Sequence, residues 1–195
     1  MDIDDLFLFS SDLYEKKYIL QDELCVINGD ITQLKNMCNV LNCYVANYLI
    51  QSRNNLMNKI NDINIQIIGV EMEISIKCKN YVDLDISFMG LKHVDSLKVL
   101  TNLKSLDISG NCIFNVRSLI NLIHLTQLNI SRNCIHSIDC FKNLIQLQWL
   151  NIEENFISDI SYITTLTNLR FLNIIGNDIL NFIPLQSFQN VLIYI

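Results

Sequence analysis

The feature that most constrains the fold of this 195-residue chain is a repeat of 22 residues. Five consecutive units follow one another, at 81–102, 103–124, 125–146, 147–168 and 169–190. When each unit is numbered 1 to 22, positions 1, 4, 6, 11, 14, 17 and 20 are apolar in every unit. The chain as a whole is 50% hydrophobic, so chance would fill only about half of these positions. The regular spacing therefore indicates a repeated structural unit, because the overall composition does not account for it.

Each unit begins with the pattern of a short β-strand. Positions 3 to 7 alternate polar and apolar, which turns positions 4 and 6 inward and positions 3, 5 and 7 outward. So short a strand is unstable alone, and neighbouring units must therefore pair in a parallel sheet. The later apolar positions recur about every three residues, which favours short 3₁₀ or irregular helical turns. These features predict an α/β solenoid with a curved parallel sheet and an irregular convex side.

Position 9 carries asparagine in every unit except the first, which has Met89 there. The residues are Asn111, Asn133, Asn155 and Asn177. An amide side chain both donates and accepts, so stacked asparagines satisfy backbone groups where the chain leaves each strand. We expect a structural asparagine ladder.

The pattern LxxLxLxxNxIxxIxxLxxLxx resembles the leucine-rich repeat family. The 22-residue length and the LTNL motifs at 100–103 and 166–169 are similar to the subclass that contains a regulatory subunit of protein phosphatase 1 and the bacterial internalins. The resemblance covers residues 81–195. It implies a leucine-rich-repeat solenoid that binds a protein partner on its concave sheet, with no catalytic residue.

The residues before the repeats predict a cap for the first unit, because an uncovered end unit would expose its core. We expect 1–64 to form a helical lead-in and cap, 65–80 a capping strand, and 81–195 the five repeats with a partial sixth strand. A capping-box-like start at Asp30 and Gln33 predicts one helix over 31–60. A second helix is expected from Asp12 to Leu24, with a break at Asn28-Gly29.

Apolar residues at helical spacing in the predicted cap helix pack on the first repeat or fill the groove of a partner. They are Ile31, Leu34, Cys38, Leu41, Val45, Tyr48 or Leu49, Leu56 and Ile60. A strand is predicted by alternation with polar residues at Val70, Met72, Ile74, Ile76 and Cys78. Val191 and Tyr194 are expected at positions 1 and 4 of a sixth unit. No sequence typical of a C-terminal cap follows, so a partner shields the last strand or its edge stays exposed.

Charge and cysteine usage exclude several classes of function. The net charge of -6 argues against direct binding to nucleic acid, since phosphate contacts need clustered Lys and Arg. The seven cysteines include no CxxC pair, which predicts no zinc site, and Cys112 and Cys134 at position 10 are expected to be buried. The acidic start differs from a secretory signal, and no apolar run is long enough for a membrane span. We expect a protein of the cytoplasm or the nucleus that is not secreted.

The sequence contains no recognisable catalytic motif. The three histidines fall at unequal repeat positions, the glycines form no phosphate loop, and no nucleophile stands near an orienting base. We predict that the chain is not an enzyme and needs no cofactor or metal.

A partner-binding surface is predicted on the outward strand positions and their margins. The candidates are Asp83, Asp85, Asp107, Gln127, Asn129, Arg132, Trp149, Asn151, Glu153, Glu154, Arg170, Phe171, Asn173 and Ile175. Trp149, the single tryptophan, lies with Phe171 and Ile175 in a polar rim, which is typical of a binding hot spot. Two alternatives stay open: position 5 is a solvated polar ladder, or Trp149 and Phe171 merely stack on each other.

The leading hypothesis is a non-catalytic module that binds a basic or mixed-charge protein, as a monomer or as a subunit of a hetero-complex. The resemblance makes regulation of a phosphatase its most specific form. The alternative is a constitutive structural subunit of a ribonucleoprotein or of a motile or cytoskeletal assembly.

Overall fold

A computed structural model describes residues 2–35 and 40–195, with side chains at all of these except 31, 33–35 and 40–47. Two helices come first, α1 (Ile3–Lys35) and α2 (Val40–Lys77). The strands are β1 (Asp83–Asp85), β2 (Ser105–Asp107), β3 (Gln127–Asn129), β4 (Trp149–Asn151), β5 (Phe171–Asn173) and β6 (Leu192–Tyr194). Between them lie 3₁₀ helices at Asp95–Val99, Arg117–Asn121, Asp139–Asn143, Ser161–Thr165 and Ile183–Ser187. The chain divides into two compact units, one of the residues up to Ser11 with Glu71–Ile195, the other Asp12–Val70.

The six strands form one parallel sheet in sequential order, β1 to β6. Every strand pairs with the next unit at the same repeat position, for example Leu84 with Leu106 and Leu106 with Leu128. In the second, third and fourth units all seven apolar positions are buried. Each coil therefore supplies one layer of a continuous core, and the predicted solenoid is confirmed.

Position 8 holds a left-handed backbone in all five units. Its residues are Phe88, Gly110, Arg132, Glu154 and Gly176, with φ between 51° and 69°. This conformation lets the chain turn out of the strand. Only two units place glycine there, so Phe88, Arg132 and Glu154 adopt a conformation that L-residues rarely occupy.

The first repeat is covered by segments of both helices that belong to the same compact unit. Leu6 and Phe7 of α1 are buried, and the hydroxyl oxygen of Ser11 accepts hydrogen bonds from the backbone N–H groups of Lys92 and His93, both at 3.1 Å. The end of α2 adds an ion pair of 2.8 Å between Glu71 and Lys98. These contacts close the N-terminal end of the solenoid core.

The predicted strand at 65–80 is wrong, because α2 continues to Lys77. Val70, Ile74 and Cys78, four residues apart, are buried on one helix face, whereas Met72 and Ile76 are exposed. Apolar residues at every second position satisfy both a strand period and an i, i+4 helix period, so local pattern does not separate the two.

The predicted helix break at Asn28-Gly29 and the helix start at Asp30 are also wrong. Both sites lie inside α1, where the hydroxyl of Thr32 donates to the carbonyl of Asn28 at 2.8 Å. A glycine inside a helix costs only about 1 kcal/mol, which a long helix tolerates.

The predicted apolar stripe of the cap helix is only partly described. Leu56 and Ile60 are buried and Tyr48 is exposed. The side chains of Ile31, Leu34, Leu41 and Val45, and the whole of Cys38, lie outside the described residues. Packing of this stripe on the first repeat stays a prediction.

The sixth strand is present, but its register differs from the prediction by one residue. Ile193, and not Tyr194, pairs with Leu172 at position 4, and Tyr194 pairs with Asn173 at position 5. The fifth repeat is thus one residue shorter than the others. Tyr194 therefore lies on the outward face of the sheet and not at the predicted inward position 4.

Candidate protein-binding surface

The outward positions 3, 5 and 7 of the strands form the outer sheet face. In-register pairing aligns these residues into columns across the sheet. The first column is Asp83, Ser105, Gln127, Trp149, Phe171 and Leu192. The second column is Asp85, Asp107, Asn129, Asn151, Asn173 and Tyr194. Position 7 supplies a third column, which is Ser87, Ser109, Ser131, Glu153 and Ile175.

Three aromatic rings stand next to one another at the β4–β6 end of this face. Trp149 stacks on Phe171 with centroids 5.0 Å apart and an angle of 8° between the ring planes. Phe171 contacts Tyr194 at 5.5 Å with a tilt of 44°. Trp149 and Phe171 are partly exposed, and Tyr194 keeps 44% of its surface accessible. We call Trp149, Phe171 and Tyr194 the aromatic row.

Exposed aliphatic side chains flank the aromatic row. Leu192 continues the first column, and Ile175 lies in the third; both are exposed. Tyr194 and Leu192 do not follow from the repeat pattern, because a fifth unit of 22 residues would place them at positions 4 and 2 of the sixth unit. The uniformly apolar run Val191–Ile195 gives no alternation from which the register could be corrected.

The second column has a structural role in each unit. The Oδ1 atoms of Asp85 and Asp107 accept hydrogen bonds of 2.9 Å from the backbone N–H two residues later. Asn129, Asn151 and Asn173 make the same bond at 3.1–3.2 Å. Such bonds fix the turn at the strand exit, so these residues are more than a solvated ladder.

Cross-strand bonds tie the second column to its neighbours. The amide of Asn129 donates to Oδ2 of Asp107 at 2.8 Å, and the amide of Asn173 donates to the Glu153 carboxylate at 3.1 Å. The polar part of the outer sheet face is therefore held in one arrangement. A rigid face loses little conformational entropy when it binds.

A hollow of about 420 Å³ lies next to the aromatic row. Its polar lining comes from Ser105, Asp107, Gln127 and Asn129, and Trp149 borders it. Short side chains on β2 and β3 leave this space, because the large side chains of the first column begin only at β4.

The outer sheet face carries negative charge alone. Positions 3, 5 and 7 of the five units include the carboxylates of Asp83, Asp85, Asp107 and Glu153, and no Lys or Arg. The three aspartates lie on β1 and β2, at the end opposite to the aromatic row.

The charged residues predicted at the margins occupy other positions. Arg132 and Glu154 lie at position 8 and form an exposed ion pair of 3.1 Å with each other. Arg170 lies at position 2, is exposed, and immediately precedes β5. These three side chains border the outer sheet face and do not lie within it.

The asparagines at position 9 bind the backbone of their own unit and of the preceding one. In Asn133 the amide nitrogen donates to the carbonyls of Ile108, Ile130 and Ser131 at 3.0–3.1 Å, and Oδ1 accepts from the N–H of Ile113 at 3.0 Å. Asn111, Asn155 and Asn177 make equivalent bonds. The ladder holds the turns that set the strand spacing of the outer sheet face.

Cys112 and Cys134 are exposed, so the prediction that they are buried fillers is wrong. Position 10 lies between the buried asparagine at position 9 and the buried apolar residue at position 11, and its side chain therefore points away from the core. Cys140 is buried, and its thiol donates to the carbonyl of Val116 at 3.3 Å. Burial and the neighbouring Asp139 raise the pKa of the Cys140 thiol to about 12.

The histidines do not converge. His93 contacts Phe114 edge-on at 5.2 Å, and His136 stacks on Phe156 at 5.3 Å. Across residues 2–35 and 40–195, no three His, Cys, Asp or Glu side chains are placed to hold a metal ion. Within the same ranges, no helix is both long and apolar enough to cross a membrane.

Solved structures with the same architecture are leucine-rich repeat proteins. The internalin InlF from Listeria monocytogenes str. 4b F2365 is 29% identical and has a TM-score of 0.59, over 62% of this chain and 36% of its own. Internalin C2 from the same strain is 31% identical with a TM-score of 0.49, over 58% of this chain and 48% of its own. This chain therefore spans less than half the length of either internalin.

A plant protein shows the same fold at lower identity. The leucine-rich-repeat ectodomain of the membrane receptor kinase GASSHO1/SCHENGEN3 from Arabidopsis thaliana, in complex with CASPARIAN STRIP INTEGRITY FACTOR 2, is 18% identical with a TM-score of 0.52. It covers 62% of this chain and 16% of its own. No protein-family model matches this sequence, and no curated protein does. The chain has the leucine-rich-repeat solenoid fold, and its similarity to the phosphatase-regulator subclass stays a prediction.

Proposed function

We propose that the chain is a non-catalytic protein-interaction module whose outer sheet face binds a protein partner. The observation that carries the proposal is the aromatic row of Trp149, Phe171 and Tyr194, which is exposed on an otherwise polar and acidic sheet. Tryptophan and tyrosine within a polar rim dominate the binding energy of many protein interfaces. The stacking of Trp149 on Phe171 holds both rings in place before a partner arrives, which lowers the entropy cost of binding.

The partner is proposed to be basic or of mixed charge. The four carboxylates of the outer sheet face would repel an acidic surface and attract a basic one. Six strands at about 4.8 Å spacing extend over roughly 24 Å, which fits an interface of ordinary size.

Paired affinity purifications test the proposal. Full-length wild type, Trp149→Ala and Phe156→Ala are used as baits under identical conditions. Phe156 is the matched control, because it is an exposed aromatic residue at position 10, away from the outer sheet face. Its ring stacks on that of His136. We expect a partner that wild type and Phe156→Ala retain and Trp149→Ala loses, with an affinity loss of about 2 kcal/mol or more by calorimetry. Equal retention by folded Trp149→Ala would refute the site.

Regulation of protein phosphatase 1 is the most specific form of this proposal, and it rests on the resemblance of the repeats. Direct titration of the purified phosphatase catalytic subunit with the wild-type chain tests it. Saturable binding that Trp149→Ala weakens would support this partner. Absence of binding at micromolar concentrations would remove it and leave the general proposal intact.

A second candidate is a constitutive structural subunit of a larger assembly. Leu180 is 92% exposed and Ile183 is also exposed, both in the fifth repeat, so apolar surface extends beyond the outer sheet face. Size-exclusion chromatography separates the candidates: a transient binder elutes as a stable monomer, whereas a constitutive subunit aggregates alone and purifies at fixed stoichiometry with its partners.

We propose a location inside the cell, in the cytoplasm or nucleus. Cys25, Cys112 and Cys134 are free and exposed, which suits a reducing compartment. Fluorescence microscopy of a tagged full-length chain tests this location, and recovery of the untagged chain from the culture medium would contradict it.

A further inference from the structure

The hollow beside the aromatic row combines a ring face with carboxylates. Phe171 covers the face of Trp149 that is turned toward β5, at a ring distance of 5.0 Å. Because the two rings are nearly parallel and Trp149 borders the hollow over β2 and β3, the opposite face of its indole ring is turned toward that hollow. One flat aromatic surface is therefore available to a ligand.

One carboxylate lines the same space, and two more lie on the neighbouring strand β1. Asp107 lines the hollow, with Oδ1 bonded to the N–H and hydroxyl of Ser109 and Oδ2 bonded to the amide of Asn129. Asp85 precedes it in the second column, and Asp83 lies two residues before Asp85 on the same face of β1; both are exposed. The strand positions that face outward bring no Lys or Arg to balance these three charges.

We infer that this hollow receives an arginine side chain of the protein partner. The inference rests on the proposed function, since it names the chemistry by which the outer sheet face recognises its partner. A guanidinium group is planar, stacks on indole rings, and makes directed hydrogen bonds to carboxylates. The hollow has the indole ring of Trp149 at one border and the Asp107 carboxylate in its lining, and its volume of about 420 Å³ admits a long side chain.

Other ligand chemistries fit this hollow less well. An apolar side chain would remove water from Asp107, Gln127 and Asn129 without replacing their hydrogen bonds. An acidic side chain would be repelled by Asp107 in the lining and by Asp83 and Asp85 on the neighbouring strand. A lysine would satisfy the charge, but its compact ammonium group does not use the flat indole surface as fully.

Fluorescence of Trp149 reports directly on this site, because it is the only tryptophan of the chain. The probes are the amides of N-acetyl-arginine and N-acetyl-citrulline, which have nearly the same shape and differ in charge. We expect a saturable change at millimolar arginine probe and constant ionic strength, and none with the citrulline probe. An equal response to citrulline, or to the amide of N-acetyl-lysine, would overturn the assignment of arginine.

The repeats themselves supply conservative variants for this test. Asp85→Asn and Asp107→Asn introduce the residue that the next three units carry at position 5, where its Oδ1 makes the same turn bond. We expect the double variant to bind the arginine probe about fivefold more weakly, because it loses the charge of Asp107 in the hollow and that of Asp85 on the neighbouring strand. Asp159→Asn is the matched control, since Asp159 is exposed and caps Ser161 outside the sheet. Equal affinity of the double variant and the control would overturn the inference.

The same variants separate this inference from the proposed function. If partner capture depends on Trp149 but not on Asp85 and Asp107, the arginine inference fails and the proposed function stands. If the arginine probe binds as expected but folded Trp149→Ala still captures the partner, the proposed function fails at this site.

Discussion

The ring of Phe88 occupies the space that a side chain on Gly110 would need. A β-carbon at Gly110 would lie far inside van der Waals contact with two atoms of that ring. Both residues hold position 8 of adjacent units, and Gly110 has a φ of +66°. Phe88 thus covers the turn of the next unit, and a β-carbon at Gly110 would force its exposed ring to move.

Substitution of Gly110 by alanine should therefore destabilise the chain in two ways. The left-handed backbone costs an alanine about 1 kcal/mol, and displacing the exposed ring of Phe88 from its place adds about 1 kcal/mol. Gly176→Ala is the control, because Gly176 has a φ of +69° but its nearest neighbour is a Glu154 side-chain atom at 3.3 Å. Urea unfolding should show a larger loss for Gly110→Ala. Equal losses, or strict additivity with Phe88→Ala, would contradict the role of the ring.

Asn133→Ala should reduce the free energy of unfolding by about 3 kcal/mol. The change removes four hydrogen bonds and leaves buried backbone groups without partners. Asn177→Ala removes an equivalent set, but Asn177 is only partly buried, and water can reach the groups that it leaves. Chemical denaturation of both variants should give a clearly smaller effect at Asn177. A cost below 1 kcal/mol at Asn133 would show that the ladder is not required.

The repeat could be predicted from sequence because one constraint recurs in every unit. Leu106, Leu128 and Leu150 are buried at the same position of successive coils, so each unit repeats the evidence of the last. Outside the repeats, no second unit repeats the same pattern and so supports the prediction. The period of residues 70–78 is compatible with strand and helix, and only the wider packing selects the helix.

The candidate surface was predictable only as far as the repeat period holds. Trp149 and Phe171 follow from strand alternation, and the structure shows that they stack. Tyr194 does not follow, because the fifth unit is one residue short and the apolar run that begins at Val191 fits either register. The hollow arises because Gln127 is smaller than Trp149, its neighbour on the adjacent strand. The two residues can be recognised as neighbours only when the strand register is known.

Cys140 should make the stability of the chain decrease in alkaline solution. Burial raises the pKa of its thiol to about 12 in the folded state, whereas the thiol of an unfolded chain has a pKa near 9.0. Between these values the unfolded chain has lost a proton that the folded chain retains, so rising pH favours unfolding, by up to about 1.4 kcal/mol per pH unit. The contribution is fully present below pH 9.0 and is lost above it.

Cys140→Ser isolates this contribution. The second repeat has serine at the same position, where the hydroxyl of Ser118 donates to Val94 at 2.9 Å, so serine fits the bond that Cys140 makes. Urea unfolding at pH 8 and pH 10 should give a smaller decrease in stability for the variant than for wild type. Identical pH dependence would show that the Cys140 thiol is accessible to solvent or has an ordinary pKa.

Aspartate substitutions at Ile74 and Ile76 test whether α2 replaces the strand that the sequence pattern suggests. A strand would turn both side chains to the same face, and both substitutions would then have similar effects. In the helix Ile74 is 0% exposed and Ile76 is 72% exposed. Ile74→Asp should therefore cost about 4 kcal/mol or more, because it places a charge in the core, whereas Ile76→Asp should change stability by less than about 0.5 kcal/mol. Thermal and urea unfolding of the two variants measure the difference, and a similar loss at both positions would favour the strand.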